Sequence, residues 1–347
     1  MFTVPIIDIS PYADPQSTPE QRAQVARQLD DASATVGFMQ IVGHGISQSV
    51  IDGLTDALDA FYTLPLDVKK NYTRPGANRG YSPPKSESLS MSLGVAAANQ
   101  MNDFYEAFTV GSEQSWYAAT DLPESSYPEN TWPDDAVASF RPAVEEWFAQ
   151  ARDVSRILLH AFTEALGLPD GYFNALTDHS IDALKMNNYT LPEGEIELAG
   201  ELTGMGAHTD FGILTVLWAD RVPGLQVLDR DGTWHDVQPE PGALIVNLGD
   251  AMARWTNDRW MSTIHRVDPP VVDGKIIRRR SAAFFFDGNF DAVIETLPGC
   301  SRTDQPGYPP ITVADNINAK LAGMKQGMAP KAVDREAQRL TSARAAR

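Results

Sequence analysis

The spacing of apolar residues changes character near residue 181. Before that point helical spacing dominates. Val25, Leu29 and Ala32 share one stripe within 20–33, and residues 51–62 give a further helix that ends near Pro65. The longest such pattern, 137–168, carries Phe140, Val144, Trp147 and Phe148, then Ala151, Val154, Ile157, Leu158 and Phe162. Gly167 and Pro169 supply its stop signal. Two short apolar runs, 4–9 and 37–42, read as strands, and 73–98, rich in Gly, Ser, Pro and Asn, reads as a long loop of the kind that lines binding sites. After residue 181 the runs shorten and turn residues punctuate them. Residues 184–189, 212–218, 225–228, 233–237, 243–248, 263–267 and 276–286 all read as strands, and Asp231-Gly232 is a hairpin turn. Many short strands with turns between them predict a sandwich, jelly roll or barrel. A helix follows at 311–324, and a polar, Ala-rich tail runs from Lys331.

Composition narrows the function classes. The 347 residues are 43% hydrophobic and 21% charged, which suffices for a core able to surround a polar site. A net charge of −18 disfavours nucleic acid and anionic membrane surfaces as partners. The short apolar run at the start lacks the basic flank of a signal peptide, and no apolar stretch is long enough to span a bilayer. The single cysteine, Cys300, allows no internal disulfide and no Cys-rich metal site, and fits a reducing, cytoplasmic compartment.

Candidate chemistry gathers in the second half. In His208-Thr209-Asp210 on an extended strand, alternate side chains share a face, so the imidazole and the carboxylate point the same way. A second strand could bring His265 alongside. Two histidines and one carboxylate form the facial ligand set that holds Fe(II) from one side and leaves positions free. A lone His-x-Asp is as readily structural. In the run Arg278-Arg279-Arg280-Ser281, strand alternation puts Arg279 and Ser281 on one face and Arg278 and Arg280 on the other. An inward guanidinium needs an anion, and the carboxylate of a small cosubstrate would satisfy it through two parallel bonds. Asn187 and Tyr189 also share a face. Tyr189 fits a donor to the same carboxylate as well as it fits a plain barrel-lining residue.

These motifs occur in an order that resembles the iron(II)/2-oxoglutarate-dependent dioxygenases of the isopenicillin N synthase-like branch. The resemblance covers most of the chain. It runs through Val4-Pro-Ile-Ile-Asp, Gly37-Phe-Met-Gln-Ile-Val-Gly-His-Gly, Arg79-Gly-Tyr and Asp103-Phe-Tyr-Glu-Ala-Phe. It continues with Gly206-Ala-His-Thr-Asp-Phe-Gly, Pro223-Gly-Leu-Gln-Val, Pro241-Gly-Ala-Leu-Ile-Val-Asn-Leu-Gly-Asp, His265-Arg-Val and Arg279-x-Ser. Two departures are Tyr189-Thr-Leu-Pro in place of Tyr-Pro-Pro and Gly43-His44-Gly45 in place of Asn-His-Gly.

The resemblance implies a mainly β fold with flanking helices, a double-stranded β-helix or distorted jelly roll. As one catalytic unit it would comprise a mixed α/β segment (1–120), a bracing helix region (121–180), the β-helix core (181–295) and a C-terminal helix and tail (296–347). It implies that His208, Asp210 and His265 ligate Fe(II), and that Arg279 and Ser281, with Tyr189 and Asn187 nearby, bind 2-oxoglutarate. With O2, a small-molecule substrate would then be hydroxylated, desaturated or cyclised with release of succinate and CO2. Arg79, Tyr81, Asn102, Asp103 and Phe108 are the candidate substrate contacts, although a solvated loop arginine describes Arg79 better than a partner for a substrate carboxylate does. Leu214, Val216 and Phe285 are the candidate apolar lining, and His44, His160, His179 and His235 read as structural or surface residues. The same motifs fit an isopenicillin N synthase-type oxidase that uses no 2-oxoglutarate and clamps a substrate carboxylate instead. A non-catalytic jelly roll and a zinc hydrolase, for which no general base is evident, are further readings. Oligomeric state leaves no signature.

Overall fold

The computed structural model describes residues 2–74, 76, 78–84, 86, 104–118, 121–190, 204–272 and 275–326. In the first half, strand β1 (Ile6–Asp8) leads through the short helix α1 (Ser10–Ala13) to α2 (Pro19–Thr35), then β2 (Phe38–Val42), α3 (Gln48–Tyr62) and α4 (Leu66–Lys70). Strands β3 (Gly80–Ser82) and β4 (Glu106–Gly111) precede the long α5 (Phe140–Ala165) and the single turn α6 (Asn174–Thr177). The second half is β5 (Ala183–Tyr189), β6 (Met205–His208), β7 (Leu214–Ala219), β8 (Leu225–Leu228), β9 (Trp234–Asp236), β10 (Leu244–Leu248), α7 (Asp250–Trp255), β11 (His265–Val267), β12 (Val271–Val272), β13 (Lys275–Ile276), β14 (Arg279–Phe286), β15 (Val293–Ile294), β16 (Ile311–Thr312) and α8 (Val313–Gln326). Among the described residues no helix is long and apolar enough to cross a membrane.

Eight strands join in the order β1-β2-β10-β7-β14-β5-β4-β3, and β6-β11-β8-β9 form a second sheet. Side-chain alternation gives the large sheet two different faces. One face carries Met39, Ile41, Val246, Val216, Phe284, Met186 and Phe108, which pack with the helices in a single apolar cluster. Helix α5 contributes the stripe Val144, Trp147, Ala151, Val154, Leu158 and Phe162 to that cluster, all buried. The other face carries Phe38, Ile245 and Tyr189 and packs against Met205, Leu225, Val227 and Val267 of the small sheet. This is the mainly β, helix-flanked jelly roll expected from the sequence. The pocket lies between the two sheets.

Several expectations need correction. The loop expected over 73–98 contains strand β3, held by an antiparallel register of Tyr81 with Phe108; residues 75, 77, 85 and 87–98 and the tail from Lys331 lie outside the described residues. Strand β4 and helix α7 had no clear sequence signal. The strand expected over 276–286 is two elements, since Lys275–Ile276 pairs with Val271–Val272 as its own hairpin. Leu214 and Val216 face the helices and not the pocket, because Thr215 and Leu217 take the alternate positions of β7. Of the expected apolar lining, Phe285 alone faces the cavity. The hairpin turn at Asp231-Gly232 is present, with Gly232 at φ +81° and the Asp229 N–H donating to Thr233 O at 2.9 Å.

A buried polar knot ties the edge of the large sheet to the helices. Glu106 on β4 receives Lys69 Nζ at 2.7 Å, the Tyr81 hydroxyl at 2.6 Å and the Asn188 amide at 2.8 Å. Lys69 also donates to Tyr62 O at 3.1 Å. Both charges are almost wholly removed from water, at 9% and 4% side-chain exposure. Breaking one half of such a pair strands the other charge, at a cost of about 3–5 kcal/mol. Glu106→Ala is therefore expected to lower stability by about that amount, read as a reduced urea midpoint at unchanged slope. A loss under ~1 kcal/mol would mean that Lys69 finds solvent or another acceptor.

Candidate metal centre and its pocket

Strand β6 ends at His208, so Thr209 and Asp210 lie in the turn that follows and not on the strand itself, as the sequence had suggested. That turn docks on the start of α7. The backbone N–H of Asp250 donates to Asp210 O at 2.8 Å, and that of Ala251 donates to Gly212 O at 3.1 Å. Gly212 and Gly249 permit this approach, since a Cβ on Gly249 would sit 2.2 Å from Gly212 O. Strand β11 then pairs His265 directly with His208.

The two imidazoles and the carboxylate converge. Nε2 of His208 is 3.7 Å, and Nε2 of His265 3.6 Å, from Asp210 Oδ1. Two metal–ligand bonds of about 2.1 Å span at most ~4.2 Å, so either pair can share one ion. The three ligand atoms all lie within 4.8 Å of one another, and all three residues are buried. Each ring is set by its own strand. The Nδ1–H of His208 donates to Gly206 O at 2.8 Å, and that of His265 donates to Thr263 O at 3.0 Å. A carbonyl only accepts, so Nδ1 carries the proton and Nε2 presents its lone pair to the centre. Phe38 packs edge-on against His265, with ring centroids 5.2 Å apart.

Electrostatics keep the set ready for a cation. Burial, with the neighbouring His265 adding to it, depresses His208 to about 3, so this imidazole is neutral at physiological pH. For Asp210, burial pushes upward. His265, His208 and the hydrogen bonds from Asn247 and Thr215 outweigh it and hold the carboxyl below its usual range. Asn247 Nδ2 donates to Asp210 Oδ2 at 2.7 Å, and the Thr215 hydroxyl donates to the same oxygen. Oδ1 is thus left for the centre.

Beside this cluster lies an unsatisfied guanidinium. Arg279 is 2% exposed and lines the same cavity, yet among the described residues neither its Nε nor its Nη1 has a hydrogen-bond partner. Ser281 and Asn187 line the wall next to it, with the Asn187 amide 3.4 Å from the Ser281 hydroxyl and Asn187 Oδ1 unpartnered. The Tyr189 ring lies 5.2 Å from the guanidinium carbon of Arg279. The outward arginines are paired differently: Arg278 and Arg280 both reach Asp59, at 2.7 and 2.9 Å.

The proposed substrate contacts divide. Tyr81 and Phe108 belong to the helix-side core and do not line the cavity, because Thr109 takes the inward position on β4. Arg79 is buried. Its guanidinium donates to Asn78 O and Ser112 O, and its neighbour Asn78 lines the cavity in its place. Asn102 and Asp103 lie outside the described residues. His44 bonds Gly242 O at 3.0 Å, and His235 pairs with Asp229 at 2.6 Å, both away from the cavity. The sequence reading missed Asn247 and Thr215, which orient Asp210, and the cavity-lining charges Lys185 and Asp287.

Two outcomes follow for this cluster. Asn247→Ala removes a donor that fixes Asp210 and is expected to weaken divalent-metal affinity by about 10-fold, measured by chelator competition. The second concerns Asp287. Burial pushes its carboxyl well above the usual range, with Asp182 and Asp210 adding and Arg79 opposing. A group raised in the folded state holds its proton there. Its stabilisation is complete below the unfolded value of about 4 and is lost as pH rises above it. Metal-stripped Asp287→Asn is therefore expected to be more stable than wild type near pH 7, with the difference shrinking toward pH 4. Parallel pH–stability curves for the two proteins would contradict this.

Comparison with known proteins agrees with the geometry. Residues 181–288 match the 2OG-Fe(II) oxygenase superfamily, and residues 4–135 match the family described as non-haem dioxygenase in morphine synthesis N-terminal. The chain is 36% identical over 323 residues to the 2-oxoglutarate-Fe(II) type oxidoreductase hxnY of Emericella nidulans, covering 90% of this chain and 88% of that protein. It is 30% identical to a homoarginine-6-hydroxylase of Oryza sativa subsp. japonica, over 86% and 89% of the two chains. Its fold is similar to the crystal structure of a full-length Neurospora crassa protein in complex with alpha-KG and thymine, with a TM-score of 0.78 at 26% identity, covering 92% and 96%. The chain belongs to the 2OG-Fe(II) oxygenase superfamily and is a dioxygenase dependent on Fe(II) and 2-oxoglutarate.

Proposed function

We propose that His208, Asp210 and His265 hold the Fe(II), that Arg279 and Ser281 bind the distal carboxylate of 2-oxoglutarate, and that the enzyme hydroxylates a C–H bond of a small molecule. The observation that carries this reading is the Arg279 guanidinium: buried in the cavity wall with two nitrogens unpartnered among the described residues, it is a charge that awaits an anion. A nitrogen and oxygen ligand set without thiolate suits Fe(II). When bound, iron and 2-oxoglutarate supply the oxidising power: O2 is split between the substrate, which gains a hydroxyl, and the cosubstrate, which leaves as succinate and CO2.

The chain's own residues bind, orient and exclude. Arg279 offers a planar fork to the carboxylate, and the Ser281 hydroxyl adds a donor. The Tyr189 ring backs the guanidinium, and Asn187 sits beside Ser281. Thr215 and Asn247 hold Asp210 in one orientation. Leu225, Val267 and Met205 close the cavity with apolar surface and keep bulk water from the reacting centre. Phe211, Phe285 and Ile317 line other parts of the cavity together with Lys185, whose Nζ donates to the Tyr105 hydroxyl at 3.1 Å. That mixture of aromatic surface and charge fits a small polar substrate. The relative named for homoarginine hydroxylation and the neighbour crystallised with thymine support a nitrogenous one.

Replacing Arg279 by Ala deletes two charge-assisted hydrogen bonds worth roughly 3 kcal/mol together. The expected result is a rise of about 100-fold in KM for 2-oxoglutarate, with Fe(II) affinity nearly unchanged. Succinate release, titrated against 2-oxoglutarate, checks it. An unaltered KM would remove Arg279 from the clamp.

A further inference from the structure

Helix α8 reaches back to the metal-binding turn through buried polar contacts that the reaction itself does not require. Lys320 and Asp250 form an ion pair at 3.0 Å, with side chains 3% and 2% exposed. The same oxygen of Asp250 accepts the hydroxyl of Thr209 at 3.1 Å, while its other oxygen has no hydrogen-bond partner among the described residues. Thr209 is fully buried and stands between His208 and Asp210 in the chain. One turn earlier on the helix, Asn316 Nδ2 donates to Phe211 O at 3.1 Å, immediately after Asp210. Ile317 and Leu321, on the same face of α8 as Asn316 and Lys320, line the cavity.

A buried ammonium and a buried carboxylate that compensate each other resist separation, because each alone would face a low-dielectric interior. The pair is joined to the turn by the Thr209 hydroxyl and by the Asp250 N–H on Asp210 O. Hence a shift of α8 moves the residue between two metal-binding groups.

We propose that Lys320 is a positioning residue for the metal centre: through Asp250 and Thr209 it fixes the turn that presents His208 and Asp210, and so couples the docking of α8 to metal affinity. This rests on the reading that His208, Asp210 and His265 hold the iron. The coupling runs both ways, since a helix that favours the metal-competent turn is itself favoured by bound metal.

The test uses Co(II) as a spectroscopic stand-in for Fe(II) in the full-length protein. Thr209→Val keeps the ion pair and the backbone bond from Asp250 to Asp210 O but removes the side-chain link to the turn. Its Kd for Co(II) is expected to rise about 10-fold or more, with an altered visible d–d spectrum and unchanged hydrogen exchange in α8. Thr209→Ser restores the hydroxyl and should behave as wild type. Lys320→Met is expected to lose both Co(II) affinity and protection of α8. Addition of Co(II) to wild type should slow exchange in α8. A wild-type Kd and spectrum in either Thr209→Val or Lys320→Met overturns the proposal and leaves the pair as a plain anchor for the helix. If Lys320→Met does not fold, Thr209→Val decides alone. Failure of wild type to bind Co(II), or retained binding in Asp210→Ala, would instead defeat the metal-site reading on which the proposal stands.

Discussion

A buried carboxylate with one satisfied oxygen and one open oxygen is the constraint around which the structure is arranged. Asp210 is 6% exposed, and an ionised group at that depth must be compensated. Asn247 and Thr215 bond Oδ2, and the imidazoles of His208 and His265 face Oδ1. These partners come from β10, β7, β6 and β11, which belong to two sheets. The sheets must therefore close on each other before the carboxylate is satisfied. The apolar contact of Phe38, Ile245 and Tyr189 with Met205, Leu225, Val227 and Val267 of the small sheet makes that closure favourable.

The same two-faced sheet explains the arginine row. Successive residues of β14 alternate between the helix side of the sheet and the cavity, so Arg280 finds Asp59 of α3 and Asp220, whereas Arg279 points into the cavity beside Ser281. Among the described residues the inward guanidinium lacks an acceptor at two nitrogens. Evolution of a fully structural core would favour an apolar residue there, since replacing buried ions by hydrophobic groups is often neutral or stabilising. A charge kept in that position is consistent with recognition of an acidic cosubstrate.

Much of this was legible in the residues. The stripe from Phe140 to Phe162 is the helix it promised, and the alternation around Arg279 set its facing correctly. What periodicity could not supply was which face of each strand meets the cavity. Leu214 and Val216 were exchanged for Thr215 and Leu217 because both faces of β7 are buried, and a strand covered on both sides carries no polar–apolar signal. Tyr81 and Phe108 were named from the resemblance, which locates a segment near the substrate side and not the facing of each residue in it. Asn247 was there to be read: a lone polar residue inside Leu244–Leu248 must have a buried partner, and its partner is Asp210. Helix α7 escaped because six residues give too little period to detect.

The ring tethers of His208 and His265 carry one more implication. Each imidazole takes its orientation from a carbonyl two residues back on its own chain, not from its neighbour across the site. Orientation is thus stored in two short local segments rather than in contacts across the site. A site held this way owes the aim of both rings to local geometry. It also discriminates weakly among divalent ions of similar size, so the identity of its occupant in a cell is governed by supply as much as by the protein.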